Sequence, residues 1–269
     1  MTLPETNRLS PALLFENDDG LDQCGTVLVI LNQPISNFNV FEQLWRHARF
    51  RICADGGANR LYDLLNGMST ARTEDYLPDA VHGDLDSLRA DVRDYYIAHG
   101  VAVSKDADQE STDFGKAMQM VARRQPSIRQ QDIIISGGLG GRVDQGLGLL
   151  HEIFREESRN ARIRLWLVSE SSVSFTLKPG RNMLQGLAST GLFTRNVGIV
   201  PIYGRAVITT SGLGWDVQDW DTQMGTQVST SNHVVSDDVV IETNAPVLFT
   251  IELDLAELAK RRASSEGRV

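Results

Sequence analysis

The pattern of apolar and polar positions changes character part-way along the chain. From about residue 26 to residue 168, short β-branched apolar runs alternate with amphipathic segments, the signature of a parallel sheet joined by crossover helices. The runs that predict strands are Thr26–Leu31, Phe50–Ala54, Ala80–His82, Val101–Val103, Asp132–Ser136 and Ile163–Val168. Helical spacing fills the intervals. Phe114, Ala117 or Met118, and Val121 share one face, and Val143, Leu147, Leu150 and Phe154 predict another buried stripe.

After about residue 170 the runs become short and alternating, separated by Gly, Asn, Asp and Ser clusters: Val197–Tyr203, Arg205–Thr210, Val239–Thr243 and Val247–Leu253. This half reads as antiparallel β structure. The expected fold class is α/β, an N-terminal open, mostly parallel α/β sheet domain followed by a C-terminal antiparallel β-sandwich domain. The expected division is an extension over residues 1–25, the α/β domain over 26–168, the β-sandwich over 169–262 and a loose tail over 263–269. Residues 66–78 and 180–196 read as surface insertions.

Composition then removes whole classes of function. Of 269 residues 41% are hydrophobic and 23% charged, ordinary for a globular protein and too apolar for intrinsic disorder. A net charge of −9 argues against a nucleic-acid partner, which calls for a basic face. The apolar runs are too short to span a bilayer, and the N-terminal residues lack the basic and apolar regions of a signal peptide. Cys24 and Cys53 are the two cysteines, and no Asn-x-Ser/Thr sequon occurs. A cytoplasmic protein with free thiols is expected, although two cysteines suffice for one bridge. There is no Gly-x-Ser-x-Gly elbow and no zinc-ligand spacing, so hydrolase and zinc readings have little support.

Four polar turns carry the candidate chemistry, each after a predicted strand, where an open α/β sheet places its ligands. In Gly83-Asp84-Leu85-Asp86-Ser87, an extended exit from the strand would turn Asp84 and Asp86 to one side, ready for magnesium; alternatively, Asp and Ser cap the helix near Leu88. Asp106 to Asp113 holds four carboxylates, Asp106, Asp108, Glu110 and Asp113, whose repulsion a cation would relieve; alternatively, it is a solvated helix start capped by Ser111 or Thr112. Gly137-Gly138-Leu139-Gly140-Gly141-Arg142 precedes a helix and suits an anion, with Arg142 neutralising a phosphoryl group and Asp144 orienting it. The competing reading is a tight turn with a surface Arg–Asp pair. Ala54-Asp55-Gly56-Gly57-Ala58-Asn59 repeats the arrangement at another strand end.

Together with Asp108-Gln109-x-x-Thr112-Asp113-Phe114, Gly141-Arg142-x-Asp144-Gln145 and Val228-Ser229-Thr230-Ser231-Asn232, in this order, these turns resemble the eukaryotic thiamine pyrophosphokinase family over about residues 27–253. The resemblance implies transfer of the pyrophosphoryl group of ATP to the hydroxyl of thiamine, giving thiamine diphosphate and AMP with Mg2+. It implies Asp84, Asp86 and Asp113 as metal ligands and, with Arg142 and Asp144, as the catalytic set. Asp55, Gln109, Thr112, Gly138, Gly141 and Arg142 would face the nucleotide, and Trp215, Ser229, Ser231 and Asn232 the thiamine. It further implies a homodimer with sites shared between subunits. Gly214 stands where the family usually has Lys, Met224 where Phe is usual and Glu110 where Asp is common. Two other functions fit the same residues: a related kinase acting on another alcohol, and a non-catalytic sensor that kept the fold.

Overall fold

A computed structural model describes residues 6–15, 25–68, 73–124 and 131–266; Cys24 lies outside them. The chain opens with β1 (Asn7–Leu9) and a 3-10 turn over Pro11–Phe15. There follow β2 (Val27–Ile30), α1 (Phe38–His47), β3 (Phe50–Ala54), α2 (Gly57–Asn66), β4 (Ala80–Gly83), α3 (Ala90–Ala98) and β5 (Ala102–Lys105). Next come α4 (Asp113–Arg124), β6 (Gln131–Ser136), α5 (Val143–Arg159) and β7 (Ile163–Val168). The remainder is β8 (Ser172–Leu177), β9 (Gly180–Leu184), β10 (Phe193–Val200), β11 (Ala206–Ser211), β12 (Trp220–Thr222), β13 (Ser229–His233), β14 (Val239–Thr243), β15 (Val247–Leu253) and α6 (Leu255–Glu266).

Two compact units result, one over Asn17–Glu170 and the other joining Met1–Glu16 to Ser171–Val269. In the first, six strands pair in parallel in the order β7-β6-β2-β3-β4-β5. Central strands such as Val27–Ile30 are buried throughout, as continuous apolar runs covered on both faces must be. On one face, Phe114, Ala117, Met118 and Val121 of α4 pack on Val29, Ile52 and Ile133, as their spacing predicts.

The stripe expected on α5 is not the buried one. Val143 is 77% exposed and Leu147 61%, while Gly146, Leu149 and Ile153 face the sheet. Gly146 lies under the backbone of Gly138 and Leu139, and Leu149 reaches the sheet beside Gly138. A Cβ on Gly138 would lie 2.3 Å from Leu149 Cδ2, so the glycine of the preceding turn makes room for Leu149, which the hydrophobic pattern within the helix does not register.

In the second unit, β13-β10-β15-β8 pair antiparallel, and so do β9-β14-β11-β12. Three expectations are corrected here. Residues 6–15 are no appendage: β1 adds a parallel strand to β9, and Leu9, Leu14 and Phe15 are buried. Residues 180–196 are no insertion, since β9 is an interior strand and β10 starts at Phe193. The last turn of α6 occupies residues 263–266, which were expected to form a loose tail. The segment Gly180-Arg181-Asn182-Met183-Leu184 has no polar–apolar alternation to announce a strand, and its partners lie far away in sequence.

Candidate active site

Asp55 follows β3 with φ 41°, in the left-handed region that aspartate tolerates better than branched residues. It is buried, and Oδ2 accepts the Ser87 N–H at 3.1 Å. The buried Oδ1 has no hydrogen-bond partner. Burial pushes its pKa up to about 6, the Ser87 hydrogen bond opposes the shift, and the carboxylates of Asp113, Asp84 and Asp86 add to it. β4 can come this close because Gly83 ends it: a Cβ there would lie 2.8 Å from the Asp55 Cβ.

Asp84 and Asp86 do converge, by a route other than the extended one expected. β4 ends at Gly83, Leu85 takes φ 62°, and the Asp86 N–H donates to Asp84 Oδ1 at 3.3 Å. The turn is clamped by buried Asn59, whose Nδ2 donates to the Ser87 carbonyl at 2.7 Å and whose Oδ1 accepts from Arg89 N–H at 3.1 Å. Neither Asp84, Asp86 nor Ser87 caps α3; its N-cap is Arg89, with no side-chain cap bond. The capping alternative therefore does not describe this turn. Asp55, Asp84 and Asp86 each offer an oxygen within 4.8 Å of the others.

Asp113, at the start of α4, borders this trio through a residue that motif reading missed. Lys116 is buried on α4, one turn after Asp113. Its Nζ donates to Asp84 Oδ2 at 2.8 Å and lies 3.5 Å from Asp113 Oδ1. The Lys116 hydrogen bond holds the Asp84 carboxyl below the usual range, while burial and the neighbouring Asp84 raise that of Asp113. The i, i+3 spacing of Asp113 and Lys116 was the available signal.

The rest of the acidic loop is partly self-contained. Asp108 accepts from Ser111 Oγ at 2.6 Å and from Glu110 N–H at 2.9 Å, and Gln109 is exposed beside it. Thr112 does cap α4, its Oγ1 accepting the Gly115 N–H at 3.1 Å. After β6, Gly141 sits at φ 74° beside Gln33, and Gly138 lies against Leu149 and Leu167. Arg142 stands at the N-cap of α5, exposed and gripped in a fork by Asp144 at 3.1 and 2.5 Å. That pair is the surface arrangement of the competing reading, and it also fixes a guanidinium at a helix N-terminus.

Within the β-rich unit, a cavity of about 320 Å³ is lined by residues including Ile208, Trp215, Trp220, Ser229, Ser231 and Asn232. Asn232 is buried and holds the Trp215 backbone at both ends: its Oδ1 accepts from Trp215 N–H at 3.1 Å, and its Nδ2 donates to the Trp215 carbonyl at 2.9 Å. The indole of Trp215 tilts over His233 at 5.4 Å. Asp216 is engaged in its turn by Thr210, Gly212 and Leu213, and Asp221 pairs with Arg205.

A profile described as the thiamin pyrophosphokinase catalytic domain matches residues 41–166, and one described as the vitamin B1 binding domain of the same enzyme matches residues 185–248. The chain belongs to the thiamin pyrophosphokinase family. Thiamine pyrophosphokinase 1 of Arabidopsis thaliana is 35% identical over 255 residues, covering 91% of this chain and 92% of its own. The thiamine pyrophosphokinase of Saccharomyces cerevisiae is 28% identical, covering 91% and 90%. The crystal structure of yeast thiamin pyrophosphokinase superposes with a TM-score of 0.86 at 25% identity, over 95% of this chain and 93% of that one. This thiamin pyrophosphokinase family member is accordingly an enzyme, with its aspartate cluster inside the catalytic-domain match and its cavity inside the vitamin B1 binding match.

Proposed function

We propose that the chain transfers the pyrophosphoryl group of ATP to the hydroxyl of thiamine, releasing AMP, with Mg2+ held by Asp55, Asp84 and Asp86 and bordered by Asp113. The observation that carries this reading is the trio of carboxylate oxygens within 4.8 Å at the carboxyl ends of β3 and β4. An all-oxygen, anionic donor set of that spacing fits a hard divalent cation, and the buried Oδ1 of Asp55 has no other hydrogen-bond partner to satisfy it. A bound Mg2+ would supply charge neutralisation for the phosphates.

The strand order puts β6 beside β2, where crossovers leave in opposite directions and such sheets take their ligands. Gln33 lies beside Gly137 and Gly141, and α5 starts directly after them, where a helix N-terminus favours an anion. Arg142, held by Asp144, can grip two phosphate oxygens, while Gln109 and Thr112 would meet the same ligand from the acidic loop. Transfer of this kind needs positioning and neutralised charge more than a strong base. Thiamine is a flat cation, and Trp215 offers it an aromatic face, with Ser229 and Ser231 at its polar edge and Asn232 keeping the tryptophan in place.

Finer points of the same proposal are an open parallel sheet, a β-sandwich, a homodimer whose sites draw on both chains, and a cytoplasmic location. No helix of the described residues is long and apolar enough to cross a membrane, and Cys53 is a buried free thiol. The deciding experiment supplies ATP, Mg2+ and thiamine and identifies the nucleotide released. AMP with thiamine diphosphate supports the proposal; ADP indicates a γ-phosphoryl kinase, and no turnover indicates a sensor. In Trp215→Ala, the apparent KM for thiamine rises far more than that for ATP; equal changes would move the thiamine site elsewhere.

A further inference from the structure

Among the described residues Lys116 is the cation in contact with the aspartate cluster, and the metal site proposed above gives it no role. Its side chain is 1% exposed, and its ammonium is held against Asp84 Oδ2 and next to Asp113. Burying an ammonium is costly unless it is paired, and here the carboxylates of Asp84 and Asp113 compensate it. The converse also holds: the ammonium compensates the carboxylates before any ion arrives. A divalent cation entering the trio meets a fixed positive charge one carboxylate away, and it shares Asp84 with a donor already in place.

We infer that Lys116 is a built-in counter-ion that keeps the free protein's affinity for a divalent cation low, so that the metal enters together with the phosphates of its nucleotide. The inference rests on the metal assignment to Asp55, Asp84 and Asp86. Polyphosphate brings the negative charge that the ammonium has offset, so metal and nucleotide stabilise one another in the site. Lys116 is thus a positioning residue: it holds Asp84 and Asp113, and through them sets when the cation is bound.

The test uses the full chain and Mn2+, followed by the loss of the free ion's electron paramagnetic resonance signal. Wild type, Lys116→Met and Lys116→Arg are titrated without nucleotide and again with a non-hydrolysable ATP analogue. Lys116→Met is expected to bind Mn2+ at least about tenfold more tightly than wild type without nucleotide. Lys116→Arg, which keeps the charge, stays near wild type, and the analogue narrows the gap. A merely structural lysine would lower the thermal midpoint of Lys116→Met and leave its Mn2+ affinity unchanged, which overturns the inference, as does weaker binding. Mn2+ bound by wild type with the analogue, yet equally by both chains without it, rejects the inference alone. Mn2+ bound by no chain even with the analogue rejects the metal assignment and the inference with it. If Lys116→Met is unfolded at every Mn2+ concentration, Lys116→Gln carries the same expectation, because its amide still donates to Asp84 without the charge.

Discussion

Asp84 and Asp86 stand two residues apart and carry the same charge, yet the metal-free protein depends on them differently. Asp84 is the closest partner of buried Lys116, whereas Asp86 is exposed and accepts from Ser87 Oγ at 3.0 Å. Asp84→Asn and Asp86→Asn are both expected to lose nearly all turnover. Only Asp84→Asn should also lower stability in EDTA, by about 1–3 kcal/mol, since it strips charge from the partner of a buried ammonium. Denaturant unfolding of the two variants in EDTA checks this. Asp55 goes the other way. Its pKa of about 6 in the fold lies above the ordinary value of 3.8, so ionising it costs stability as pH rises from about 4, and the full cost is reached above pH 6. Asp55→Asn should therefore stabilise the metal-free chain at pH 8 by on the order of 2 kcal/mol, and the gain should vanish toward pH 4. Thermal midpoints in EDTA at the two pH values measure it.

Among the elements, α5 shows how a helix can be legible while its orientation is not. Its existence follows from periodicity, and its start from the glycine-rich turn before it. Its buried face carries Gly146, Leu149 and Ile153, with Leu149 packed where a Cβ on Gly138 would stand. Leu149→Ala should cost about 2–4 kcal/mol, as for a buried leucine, whereas Leu147→Ala should cost less than about 0.5 kcal/mol. Urea unfolding of the pair decides it, and equal losses would restore the Val143, Leu147, Leu150, Phe154 face. The turn after β4 shows the same division. Two aspartates at a strand end were visible, but the left-handed Leu85 and the Asn59 clamp that bring them together were not.

At the scale of the whole chain, the N-terminal residues belong to the β-rich unit and not to the α/β unit that follows them. Leu9, Leu14 and Phe15 are buried there, with the Phe15 ring edge-on to Phe193 at 6.4 Å. Removing residues 1–15 should therefore destabilise the β-rich unit by several kcal/mol, on the scale of losing buried apolar side chains and a strand, about 2–5 kcal/mol for each large one. It should reduce thiamine binding before nucleotide binding. Calorimetric unfolding together with separate titrations of thiamine and an ATP analogue checks both; an unchanged midpoint would make the segment an appendage after all.

What the sequence determined by itself is local. The alternation of β-branched runs with amphipathic stretches located β2 to β7 within a few residues, most plainly β2, which is buried on both faces and must be continuously apolar. Acidic and glycine-rich turns at their ends marked Asp55, Asp84, Asp86, Gly141 and Arg142, because ligands of such sheets gather there. Only the tertiary structure decided which of these groups meet. Asp55 joins Asp84 and Asp86 because parallel pairing sets β3 beside β4. Lys116 becomes part of the cluster because the buried face of α4 carries it to Asp84, 32 positions away in sequence. β9 exists because β1 and β14 lie on either side of it. These outcomes rest on contacts between residues distant along the chain, whose free energy no local pattern contains.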